Sequence, residues 1–169
     1  MNKPLDHDAL QTVRIAPHNV EIEQQILGTI LANNEAFYRV SDFLKAEHFF
    51  VEAHRQIYEI ITSLIRGGKV ATPLTVKTFL PADATLAELP ATEYLIRIAQ
   101  STPTPLTAVE YGKQLVDLAV RRSLIELGED VVNEAYDVTL ESTPRQQIEE
   151  TEKRLYSLAE TGRLDQGFI

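Results

Sequence analysis

The four histidines, His7, His18, His48 and His54, come first, because imidazole binds metals and moves protons near neutral pH. They are scattered, and the six-residue gap from His48 to His54 does not place both rings on one helical face. A metal site is therefore not expected. His54, near the start of an apolar run, reads as a cap or a hydrogen-bonded packing residue rather than a general base. Glu21 and Glu23 are two residues apart and diverge on a helix, where first-turn acids already answer the helix dipole. Ser41, Ser63, Ser101 and Ser123 have neither a nucleophile elbow nor a nearby histidine. No glycine-rich loop ending in Lys-Ser or Lys-Thr is present, and Gly67-Gly68-Lys69 lacks both the spacing and a preceding strand. Glu-x-x-His pairs of the kind that line di-metal helical bundles are also missing. Arg121-Arg122 could touch phosphate, but it sits mid-helix among acids and reads as a solvated or interface face. The expectation is a chain with no catalytic, cofactor-binding or metal residues.

Composition narrows the class further. A chain of 169 residues with 44% apolar content can bury a real core. With no cysteine, disulfides and thiolate sites are excluded and packing alone must hold the fold. A net charge of −9 would repel a phosphate backbone, so direct nucleic-acid binding is not expected. No run approaches the roughly 20 apolar residues of a membrane span, and Met1 to Thr12 lacks a signal-peptide core, so a cytoplasmic, non-membrane protein is expected.

The elements that would position any site are helical. Residues 1–16 read as a mobile arm. From His18 to Leu31, Val20, Ile22, Ile26, Leu27, Ile30 and Leu31 recur near the 3.6-residue period. Asn33-Asn34 stops that helix, and Glu35 to Leu44 supplies a short second one. Glu52 to Arg66 carries Ile57, Tyr58, Ile60, Ile61, Leu64 and Ile65 and should be the most buried helix, closed by Gly67-Gly68. Thr72-Pro73 starts another through Leu80, the hydroxyl capping an amide while Pro73 occupies the first helical position. Pro81 to Pro90 reads as a loop, and Ala91 to Gln100 as a short helix.

Beyond the proline-interrupted joint Ser101-Thr102-Pro103-Thr104-Pro105, the pattern changes. Leu106 to Tyr136 reads as one helix of about nine turns, and Arg145 to Glu160 as its return, ended by Gly162. The fold class is all-α: a compact bundle of about six short helices over 17–102, then a long antiparallel helical hairpin over 103–141 and 142–161. Such a hairpin covers its apolar stripes only in part. It either self-associates or folds back to complete a monomeric bundle.

Pro17-His18-Asn19-Val20-Glu21-Ile22-Glu23-Gln24-Gln25-Ile26-Leu27-Gly28 resembles the opening of DnaB-type replicative helicases. Phe49 with His54-Arg55-Gln56-Ile57-Tyr58 is similar to the family's next block. Leu74-Thr75-Val76, Tyr94-Leu95, Thr102-Pro103, Tyr111 and Arg121-Arg122 through Ile125 follow in order, and Glu152 to Ala159 resembles the closing linker helix. Two positions depart from the family's habit: Thr72 stands where Asp is frequent, and Ala91-Thr92-Glu93 where a glycine pair is frequent.

The resemblance implies a non-catalytic N-terminal domain. Residues 162–169 would begin the linker to a RecA-like motor, where ATP and magnesium would act. It implies pairing with itself as a dimer, or as a trimer of dimers in a hexameric collar, together with primase docking and recognition of a helicase loader. Within it, Glu21, Tyr94, Ile125 and Val131 match the primase-facing surface. Leu115, Leu118, Leu124, Leu127, Leu155 and Leu158 are the expected pairing residues, since facing leucine stripes suit such an interface. The alternative is a free-standing helical adaptor or regulator.

Overall fold

The structure, a computed structural model, describes residues 14–100, 104–139 and 141–165, with 162–165 described by backbone alone. Most of the expected arm, residues 101–103 of the joint and the last four residues lie outside the described residues.

Helix α1 spans Val20–Ala32 and starts where Asn19 Oδ1 accepts the Ile22 amide at 3.1 Å, capping an orphan donor. Helix α2, Glu35–Val40, follows at once. Its approach is pinned by Asn34, whose amide group donates to the Ala71 carbonyl and accepts from the Ala71 N–H, at 2.8 and 2.9 Å. A 3₁₀ turn at Ala46–His48 leads into α3, Glu52–Arg66. Helix α4, Pro73–Lys77, is shorter than the sequence suggests but has the expected start. Thr72 caps the Thr75 amide, and Thr75 returns a bond to the Thr72 N–H.

The segment expected to be a loop holds a miniature antiparallel β-hairpin, β1 (Thr85–Leu86) and β2 (Leu89–Pro90), pairing Leu86 with Leu89. Helix α5 spans Ala91–Gln100, α6 Pro105–Tyr136 and α7 Pro144–Asp165. The fold is all-α apart from that hairpin.

The core joins Ile26, Leu27 and Ile30 of α1, Ile57 and Ile61 of α3, Leu95 of α5 and Leu115 of α6 around Phe49 and Leu44. Helix α3 is not the most buried helix, as its stripe suggests. Helix α1 buries seven of its 13 residues and α3 six of its 15, because α1 is sandwiched between α5 and α6 as well as touching α3. The α1–α5 crossing is close enough that a Cβ on Gly28 would lie 1.9 Å from the Ile98 carbonyl oxygen, which is why glycine stands there.

The long hairpin divides differently from the joint expected at 101–105. The inner half of α6 belongs to the body: Ala108, Gly112, Leu115, Val116 and Ala119 are buried. Only its outer half pairs with α7 alone as a projecting antiparallel arm. Nor does Gly162 end α7, which runs on to Asp165.

Candidate interaction surface and its buried support

Two charged side chains lie on otherwise apolar helix faces. Glu23 shares a face of α1 with Ile26, Leu27 and Ile30, and His54 shares a face of α3 with Ile57, Tyr58 and Ile61. Packing brings them together, His54 Nδ1 lying 2.8 Å from Glu23 Oε1. The same carboxylate accepts the Phe50 N–H at 2.8 Å and the Val51 N–H at 3.2 Å. Val51 is the N-cap residue of α3 and has no capping side chain of its own. Glu23 therefore caps α3 from a different helix, placing its negative charge at the positive end of the dipole.

Behind His54 the chain continues. Its Nε2 lies 2.6 Å from the Tyr94 hydroxyl, which also accepts from Gln24 Nε2 at 3.1 Å. Every hydrogen finds a place if Gln24 donates to Tyr94, the Tyr94 hydroxyl to His54 Nε2, and His54 Nδ1–H to Glu23. Burial pushes the Tyr94 hydroxyl's pKa up, so it stays protonated. Glu23 is 0% exposed and His54 1%, which leaves a substrate no route to either. The arrangement orders the start of α3 and locks α5 to α1 and α3. Glu23 is therefore a buried capping carboxylate and not the simple first-turn acid its position in the sequence suggests, whereas His54 is the expected hydrogen-bonded packing residue.

A second cluster adjoins this one. Arg122 of α6 donates to the Pro17 carbonyl at 2.8 Å and the His48 carbonyl at 2.9 Å, and its guanidinium carbon lies 5.5 Å from the Phe50 ring centroid. His18 stacks on that ring at 4.1 Å. Arg122 is thus committed to the body of the protein, while Arg121 forms an exposed pair with Asp117 at 3.0 Å. His48 is buried, and its Nδ1 accepts the Lys45 N–H at 2.9 Å. Desolvation lowers its pKa, outweighing the opposing pull of Glu47.

The remaining candidate residues divide between surface and interior. Glu21 is exposed, and Ile125 and Val131 are 46% and 37% exposed on the outer half of α6. Tyr94 is not on the surface: it is 5% exposed, its hydroxyl consumed by His54 and Gln24. Among the leucines, Leu124 and Leu155 are exposed, Leu118 and Leu158 half-buried, and Leu115 and Leu127 buried within this chain. Leu115 is a core residue, because the inner half of α6 is part of the body. Val132, Tyr136, Ile148 and Tyr156 belong to the same helical stripes but are not among the expected pairing leucines, and the structure leaves all four exposed on the arm. The doublets Leu124-Ile125 and Val131-Val132 are the signal for them, because together they make a stripe wider than one partner helix covers.

The projecting arm is otherwise tied by polar bonds, Arg154 to Asp130 at 3.0 Å and the Gln147 amide to the Glu134 carbonyl at 3.2 Å. Among the described residues no group of His, Cys, Asp or Glu converges as a metal site, and no helix is long and apolar enough to cross a membrane.

The molecule is thus a helical body that holds out a two-helix arm on which several large apolar residues are exposed. The model of the DnaB-like helicase N terminal domain matches residues 15–117, and the chain belongs to that family. The replicative DNA helicase DnaB of Rickettsia typhi is 40% identical over 161 residues, covering 95% of this chain and 32% of that protein. That of Rickettsia felis is 42% identical over 155 residues, 92% of this chain and 31% of its own length. This chain therefore spans about a third of the curated relatives it matches. The crystal structure of the N-terminal domain of DnaB helicase from Mycobacterium tuberculosis superposes with a TM-score of 0.73 at 26% identity, covering 84% of this chain and 99% of that one.

Proposed function

We propose that this chain is the non-catalytic, assembling part of a replicative DNA helicase, pairing with copies of itself to form the collar of a ring and docking the primase at the replication fork. The observation that carries this reading is the apolar surface of the projecting arm, where Leu124, Ile125, Val132, Leu155 and Tyr156 stand exposed. Exposed aliphatic and aromatic residues clustered on one arm are what a protein partner buries. On this reading the parent protein unwinds DNA with an ATP- and magnesium-dependent motor outside these residues. The arm supplies the pairing surface through Leu124 and Leu155, with Leu118 and Leu158 at its edge. Glu21, Ile125 and Val131 offer the primase its surface, and Tyr94 acts from behind by holding α5. On the same reading a helicase loader is a further partner, and the setting is the cytoplasm.

Sedimentation of the purified chain over a wide concentration range, alone and with the matching primase's C-terminal domain, tests the proposal. Dimers or larger rings that also bind primase are expected. A strict monomer indifferent to primase overturns it.

A further inference from the structure

The root of the arm is where the two polar clusters meet. Inward of Arg122, the α6 side chains Leu115, Val116 and Ala119 are buried; outward of it, Leu127 is buried while Leu124, Ile125, Val131, Val132 and Tyr136 are exposed. At that transition one guanidinium bonds two carbonyls from segments far apart in sequence, Pro17 ahead of α1 and His48 ahead of α3. It also faces the Phe50 ring. Phe50 is itself fixed: Glu23 accepts its N–H at 2.8 Å, Arg55 donates to its carbonyl at 2.9 Å, and His18 stacks on its ring.

We propose that Arg122 is a positioning residue that sets the angle at which the two-helix arm leaves the body. The chemistry calls for arginine. A planar fork can send two N–H groups to two separate carbonyls while its face lies against an aromatic ring, whereas a lysine ammonium is a point donor on a flexible stem. Through Phe50, the anchor is held by the Glu23–His54–Tyr94 network, so the buried polar chain and the arm's direction belong to one mechanical unit. The inference does not depend on what the arm binds. The competing physical account is that packing of the inner half of α6 already fixes its direction, leaving Arg122 as a redundant surface contact.

The chain has no cysteine, so Glu59→Cys on α3 and Ser142→Cys near the arm's tip give a clean spin-label pair, both positions being exposed. Electron–electron distance measurement on labelled chain diluted in excess unlabelled chain reads the body-to-tip distance within one molecule, whatever the oligomeric state. A single narrow distribution is expected for the parent. In Arg122→Gln the distribution should widen about twofold or shift, with circular dichroism and a cooperative melt retained; fixing the geometry needs both fork contacts, and the amide reaches one at most. A distribution superimposable on the parent's overturns the proposal. Should Arg122→Gln fail to fold, Arg122→Lys, which keeps the charge and the stem, decides by the same criterion.

Discussion

Glu23 holds a position that carboxylates rarely take, fully buried with three hydrogen-bond donors on its two oxygens. Removing one partner of such a set leaves the others unsatisfied and desolvated. Glu23→Ala is therefore expected to cost about 3–5 kcal/mol, and Glu23→Gln, which keeps the shape, roughly 1.5–3 kcal/mol. Chemical denaturation should show a lower midpoint at unchanged slope; a loss under about 1 kcal/mol for Glu23→Ala would mean the network contributes little. His48 makes a second prediction. Burial lowers its pKa below the ordinary 6.5, so the unfolded chain binds a proton that the folded one resists. Its contribution is fully present above about pH 6.5 and is lost as pH falls through the lower folded value, because protonation removes the acceptor of the Lys45 N–H. Melting temperature should fall faster on acidification in the parent than in His48→Gln, and parallel curves would refute this. Of this network only the packing role of His54 is legible in the sequence, because Glu23, although on a row with Ile26, Leu27 and Ile30, reads as a first-turn acid. The third member, Tyr94, and the backbone donors at Phe50 and Val51 are not, since they arrive only through tertiary packing.

Among the elements, the β-hairpin between α4 and α5 is the one most at odds with local preference. Its two central residues, Ala87 and Glu88, adopt φ values of 49° and 65°, a left-handed pair that suits Asn-Gly. Replacing them together, Ala87→Asn with Glu88→Gly, is expected to raise stability by about 1 kcal/mol by relieving that strain. Unchanged or lower stability in denaturation would show that other contacts of Ala87 or Glu88 matter more. This hairpin was not legible in the sequence, because Pro81 and Pro90 and a turn without glycine all read as loop. The start at Thr72-Pro73 was, and Thr104-Pro105, read only as a joint, caps the long helix by the same chemistry. The same punctuation misleads about domains, since a proline marks where a helix begins and says nothing about which body it packs in. Gly162 misleads similarly, because glycine is permitted in a helix and ends one only where a left-handed cap is adopted.

For the whole molecule, the question is which apolar residues serve the body and which serve a partner. Leu115 is buried and Leu124 and Leu155 are exposed, so their substitutions should part company. Leu124→Lys and Leu155→Lys are expected to leave the melt within about 0.5 kcal/mol of the parent, as surface changes do. Under the proposed pairing they should weaken self-association at least about tenfold, on the order of 1.4 kcal/mol. Leu115→Lys should instead unfold the body. Association unchanged by both surface substitutions would move the pairing surface elsewhere.

One continuous helix is both a wall of the core and the spine of the arm. From Arg122 to Tyr136, fourteen residues at about 1.5 Å each make a lever roughly 21 Å long. A tilt of about 10° at its fulcrum carries the tip about 4 Å, most of one helical turn's rise. The precision with which this protein can present its apolar face is therefore decided at the base, by side chains that never touch whatever that face binds.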